Sequence, residues 1–130
     1  MNSEWYDSLI RPPLTPPDWL FGPVWGVLYL MIAAAVGWWA VRGTDHFLLA
    51  RTWKVIVLHV LTNVCWSIFF FRLENPALAL ADIFILDATL VWILATFRRE
   101  SRLSWWLLLP YFFWVMFATY LNAAFWWLNR

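Results

Sequence analysis

From Trp19 to Leu128 the chain is little else than four long apolar runs, joined by links so short (42–47, 72–75 and 98–102) that each run must turn straight back on the one before. A bilayer core takes about 20 helical residues to cross, and every run is long enough. The runs read as helices over about 19–41, 50–71, 76–97 and 103–128. None alternates with period two, so a membrane barrel is excluded. Short links make consecutive helices antiparallel neighbours. Composition agrees: the chain is 64% hydrophobic and only 13% charged, where a soluble domain carries about 25%. The expected fold is all-α, a polytopic membrane helical bundle of four transmembrane helices in one domain, residues 1–130, with a proline-rich loop over 1–18. A net charge of +1 argues against nucleic acid as a partner. The lone Cys65 lies inside an apolar run and reads as a small buried hydrophobe.

Punctuation marks the helix ends. Arg42-Gly43 closes the first run. Asn75 is placed to cap the third run, with Pro76 at its first position, and Ser101 to cap the fourth. Pro110, inside the fourth run, predicts a kink. Arg42, Arg51, Lys54, Arg98, Arg99 and Arg102 gather at one end of the bundle; Arg11, Arg72 and Arg130 are at the other. The positive-inside rule then puts the first and third links in the cytoplasm. The proline-rich loop and the C-terminus face outward, as in a bacterial cell membrane.

Four prolines between residues 12 and 17 stiffen the loop and bar it from helix and sheet. Pro23 falls near the start of the first apolar run, where proline is tolerated. Aromatics flank the loop on both sides, at Trp5, Tyr6, Trp19, Phe21, Trp25 and Tyr29. Such a segment serves either as an anchor at the membrane interface or as a lid over an opening in the bundle.

Polar residues inside a membrane cost free energy and are candidates for function. His59, Thr62, Asn63 and Trp66 share one face of the second helix. They read either as interhelical glue, worth about 0.6 kcal/mol a bond, or as a site. His59 stands about a turn and a half from Lys54, near headgroup depth. No second ligand lies at metal spacing, so no metal is expected. Asp82 and Asp87 lie on different faces of the third helix, which disfavours a paired-carboxylate device. Asp82 reads as an interhelical tie; Asp87 reads equally as a tie or a pocket residue. On the fourth helix, Trp114, Phe117, Ala118, Leu121, Asn122 and Phe125 form one stripe. The small Ala118 leaves room between Trp114 and Asn122 for a flat aromatic ligand, oriented by Asn63 or Asn122. No nucleophile elbow, phosphate loop or catalytic triad is present.

The stretches WYDSLIRPPLTPPDWLFGPVWGVLY (5–29), NVCWSIFFF (63–71), ALALADIFILD (77–87) and PYFFWVMFATYLNAAFWWLN (110–129) closely resemble the translocator protein and tryptophan-rich sensory protein family, TspO/MBR. The resemblance implies a helical membrane protein, often dimeric, that binds protoporphyrin, haem and related hydrophobic ligands, with no cofactor required. Carried over position by position, it implies a ligand site of Trp5, Tyr6, Phe21, Trp25, Tyr29, Asn63, Trp66, Trp114, Ala118, Leu121 and Asn122. Some bacterial members of the family degrade protoporphyrin in light, for which Trp25 and Trp114 are the candidate reactive residues here. Transport of tetrapyrroles or sterols is a further reading. The family has five transmembrane helices and its proline-rich loop follows the first, whereas four residues precede the loop here. A four-helix bundle that dimerises, the neighbour covering the exposed face, is the resulting expectation. The family's sterol pattern is broken, since the first basic residue after Tyr120 is Arg130, so porphyrin is expected over sterol.

Overall fold

The computed structural model describes Trp5, residues 8–42 and residues 46–129. Among these residues there are four helices long and apolar enough to cross a membrane, and no strand. They are α1 (Asp18–Arg42), α2 (His46–Ser67), α3 (Pro76–Glu100) and α4 (Arg102–Leu128). The chain is therefore the all-α bundle that its apolar runs dictate.

The Asn75 and Ser101 caps sit where the sequence puts them, and Gly43 lies outside the described residues. Asn75 Oδ1 accepts from the Leu78 amide at 3.0 Å, and Pro76 opens α3. Ser101 Oγ accepts from the Ser104 amide at 3.4 Å. The Ser104 hydroxyl also donates across the bundle to the Ala35 carbonyl at 2.6 Å, so the start of α4 is braced on α1. Three boundaries differ from expectation. The second helix begins at His46 rather than near residue 50. α3 continues to Glu100 because Trp39 Nε1 donates to the Glu100 carboxylate at 2.7 Å, holding that last turn against α1. α2 ends not in α-helix but in a π-helical turn, Ile68–Arg72, closed by Leu73 N to Ile68 O at 2.9 Å. A π turn inserts one residue into the helical repeat and so shifts which side chains face inward. Here Phe70 is the residue buried. Pro23 lies in the second turn of α1 rather than the first, and Pro110 inside α4; both helices run on through them.

α1 packs on α4, α4 on α3, and α3 on α2. One expected neighbour pair is missing: α1 and α2, although joined by a short link, make only sparse backbone approaches. The contact between them is made by side chains instead: Trp39 and Trp53 meet edge to face at 5.4 Å, and Tyr29 reaches Asn63 further along. The main core joins Leu28, Ala35 and Trp39 of α1 to Leu86, Leu90 and Phe97 of α3 and Leu108, Tyr111 and Val115 of α4. A smaller cluster of Phe70, Ala79, Leu121 and Phe125 fills the proline-loop end.

The loop is fastened to that end. Thr15 N and Oγ1 both donate to the Pro12 carbonyl, at 3.4 and 2.6 Å, closing a turn. That turn holds Leu14 at a φ of 70°, a left-handed conformation which a leucine adopts only at a cost. The Ile10 amide donates to Asn129 Oδ1 at 2.8 Å, and Asn129 Nδ2 donates back to the Ile10 carbonyl at 2.9 Å. The Tyr120 hydroxyl donates to the Pro13 carbonyl at 2.8 Å. Trp5 stands edge-on to Phe70 at 5.4 Å. A buried or paired hydrogen bond contributes about 0.5–1.5 kcal/mol. Asn129→Ala removes both bonds to Ile10, so exchange of the Ile10 amide should quicken about tenfold or more, while amides within α3 and α4 keep wild-type protection in the same hydrogen-exchange experiment.

Candidate functional site

The polar face of α2 turns inward. His59 is buried, and both its ring nitrogens are bonded: Nδ1 lies 2.8 Å from Thr89 Oγ1 and Nε2 lies 2.8 Å from the Tyr111 hydroxyl. It does not reach toward headgroups, as its distance from Lys54 suggested; the core supplies partners on α3 and α4 and draws the ring inside. Thr89 spends its one proton on the Leu86 carbonyl, at 2.8 Å. It therefore accepts from His59, whose proton is on Nδ1. His59 Nε2 is then an acceptor, and the Tyr111 hydroxyl donates to it. Tyr111 oxygen in turn accepts from Asn63 Nδ2 at 2.6 Å, which leaves Asn63 Oδ1 to accept from the Tyr29 hydroxyl at 3.3 Å. One chain of bonds thus runs through all four helices, in a single direction, from Tyr29 to Leu86.

Tyr29 is the wet or lipid-facing end of that chain, being about half exposed. Its ring lies 5.5 Å from Trp25, with 31° between planes. Trp25 meets Trp114 at 6.2 Å and 88°, edge to face. The two indoles therefore do not stand as parallel walls around an empty slot. Edge-to-face contact is the arrangement that ring quadrupoles favour. The tilted Trp25–Tyr29 pair, half exposed at Tyr29, is the aromatic surface next to Asn63. Ala118 and Trp114 both pack on the main core next to it.

The other residues implied by the resemblance gather elsewhere. Trp66 Nε1 donates to Asn122 Oδ1 at 2.8 Å, and Asn122 Nδ2 donates to the Pro76 carbonyl at 2.9 Å. Both ends of the Asn122 amide are engaged in tying α4 to α2 and α3. Trp66 stacks on Phe70 at 5.2 Å, and Leu121 and Trp5 belong to the same cluster under the loop. Tyr6 lies outside the described residues, as does the side chain of Phe21. The structure thus divides the implied set in two, Trp25, Tyr29, Asn63, Trp114 and Ala118 on one side and Trp5, Leu121 and Asn122 at the proline-loop end, with Trp66 packed against both clusters. An open apolar groove of about 490 Å³ lies between Pro12 and Pro13 and the end of α4, at Tyr120, Ala123 and Trp127, and none of the implied site residues lines it.

Asp87 takes one of its two expected roles, and Asp82 departs from the one expected of it. Asp87 is the interhelical tie, with its carboxylate oxygens 3.0 and 3.2 Å from Thr119 Oγ1 on α4. Asp82 is 8% exposed, and its Oδ2 has no hydrogen-bond partner among the described residues. The partner missed in the sequence is Tyr111, which joins His59 to Asn63. It lies one turn before Trp114 on the same stripe, so extending the stripe backward would have found it.

Helices of membrane length, cross-linked by buried amides, hydroxyls and an imidazole and lined with indoles, define a polytopic helical membrane protein with a polar-bonded aromatic interior. Within that class the chain belongs to the TspO/MBR family, whose model matches residues 1–128. The tryptophan-rich protein TspO of Chlorobaculum tepidum is 36% identical over 129 residues, covering 92% of this chain and 76% of that protein. The protein of the same name from Archaeoglobus fulgidus is 38% identical over 127 residues, covering 96% and 80%. The translocator protein of Homo sapiens is 30% identical over 128 residues, covering 95% and 73%.

The two amides differ in what they carry. Asn122→Ala leaves the Trp66 indole N–H without its partner inside the bundle and should lower thermal stability by about 1–2 kcal/mol. Tyr29→Phe loses one long bond at a half-exposed position and should cost under about 0.5 kcal/mol in the same melting experiment.

Proposed function

We propose that this protein binds planar, largely apolar ligands of the tetrapyrrole class, protoporphyrin or haem, against the Trp25–Tyr29 surface. The observation that supports the reading is one amide oxygen, Asn63 Oδ1, at the Tyr29 hydroxyl of that surface, whose other ring, Trp25, meets Trp114. A flat ring gains stacking from Trp25 and Tyr29 and orientation from Asn63. Trp114 turns its ring aside or supplies its edge. Neighbouring Ala118, being small, leaves room for the ring. The loop, held to α4 by Ile10 and Pro13, closes the end of the bundle nearest the ligand's polar rim. It faces outward, away from the links rich in arginine.

A second copy of the chain completes the site in this reading. Gly22, Gly26 and Gly37 of α1 have no atom within 4 Å of where a Cβ would stand, so a helix can approach closely there. A copy seated on that face would also shield the half-exposed Tyr29 hydroxyl from lipid. With Cys65→Ser as background, Gly26→Cys should cross-link to a dimer in native-like lipid under mild oxidant; a monomer at high protein concentration overturns this part of the reading.

Titration of protoporphyrin and haem in the dark, followed by quenching of tryptophan fluorescence, tests the site. Trp114→Ala removes an aromatic partner and Ala118→Phe fills space, and each should weaken binding about tenfold, or about 1.4 kcal/mol. If both variants fold and keep wild-type affinity, the ligand is bound elsewhere.

A further inference from the structure

The chain of bonds from Tyr29 to Leu86 has a direction, and the direction has a consequence at the ligand site. An asparagine amide can present either its oxygen or its NH₂ to a ligand, and the two ends are nearly the same size. Here the choice is not made at the site. It is made on α3, where the Thr89 hydroxyl donates to the Leu86 carbonyl at 2.8 Å. Reversing the chain would break that bond, because Thr89 would have to donate to His59 instead. With Thr89 as acceptor, the proton of His59 is on Nδ1, Tyr111 donates to Nε2, and Asn63 must turn its NH₂ to Tyr111. Asn63 Oδ1 is left facing Tyr29, whose ring lies against Trp25.

We infer that this buried chain sets the polarity of the aromatic site, making it a hydrogen-bond acceptor that selects planar ligands carrying an N–H or O–H donor, with His59 and Tyr111 as positioning residues. The inference rests on the binding surface proposed above and names the ligand chemistry it prefers. Tyr29 is the resident donor: its hydroxyl occupies Asn63 Oδ1 at 3.3 Å, and an incoming donor replaces it.

Three tricyclic probes of nearly one shape isolate the effect: carbazole offers a ring N–H, dibenzofuran a ring oxygen, and fluorene neither. They are titrated calorimetrically, alongside protoporphyrin, into the protein in lipid nanodiscs, with empty nanodiscs as the blank. Carbazole should bind about five- to tenfold more tightly than either of the others, the worth of one net hydrogen bond. Tyr111→Phe keeps the ring and removes the link that orients Asn63, so the carbazole preference should fall to within about twofold while fluorene binds as before. Tyr29→Phe keeps the ring and removes the resident donor, and should tighten carbazole relative to fluorene and dibenzofuran by about two- to fivefold.

Equal affinity for the three probes in the wild-type protein overturns the inference and leaves the aromatic surface standing. So does a preference that survives intact in folded Tyr111→Phe protein, or an equal change of all three probes in Tyr29→Phe. Failure of every probe to bind removes the surface and the inference together. Failure of protoporphyrin alone, with the carbazole preference intact, overturns the tetrapyrrole reading and supports the polarity.

Discussion

Inside a bilayer no water stands ready to satisfy a polar group, and each one has to find its partner within the bundle. The interior of this protein follows from that requirement. Tyr29, Asn63, Tyr111, His59 and Thr89 come from all four helices, and each satisfies the next. The Tyr111 hydroxyl is the joint of the chain, accepting from one side and donating to the other. A hydroxyl has one proton, and a neutral imidazole has one as well. Once the sense of one member is fixed, the others follow, and a bond on α3 sets the orientation of an amide on α2.

The second constraint is the width of the aromatic side chains. Thirteen tryptophans and eleven phenylalanines in 130 residues cannot all face lipid. Between α1 and α2 long side chains meet where close backbone contact is sparse. Trp39 against Trp53 does this at one end of α1 and α2, and Tyr29 with Asn63 does it near the middle. The contact between these sequential helices is made by side chains, and the Trp25–Tyr29 pair with Asn63 Oδ1 lies along it, where the proposed ligand is placed.

At the proline-loop end the same two rules act together. The π turn of α2 brings Phe70 inside, and Trp66, Phe125 and Trp5 close around it. Asn122 engages both ends of its amide on α2 and α3. The loop is then held by backbone bonds to Asn129 and Tyr120. Rigidity here comes less from the prolines themselves than from the side chains of α4 that hold the loop. The prolines contribute by fixing φ, so that few conformations compete with the fastened one.

Sequence alone determined the four membrane-length helices, the Asn75 and Ser101 caps and the inward face of α2, because these depend on local spacing and on which side chains water or lipid will accept. It also carried the family, through motifs spread over nearly the whole chain. Tertiary structure alone decided that α1 leaves α2 for α4, that Asp87 rather than Asp82 makes the tie, and that the implied site residues fall into two groups. It alone decided, too, that Tyr111 links His59 to Asn63. Those outcomes depend on distances between residues far apart in the chain, on ring against ring and proton against lone pair, and no periodicity along one helix records what the facing helix will offer.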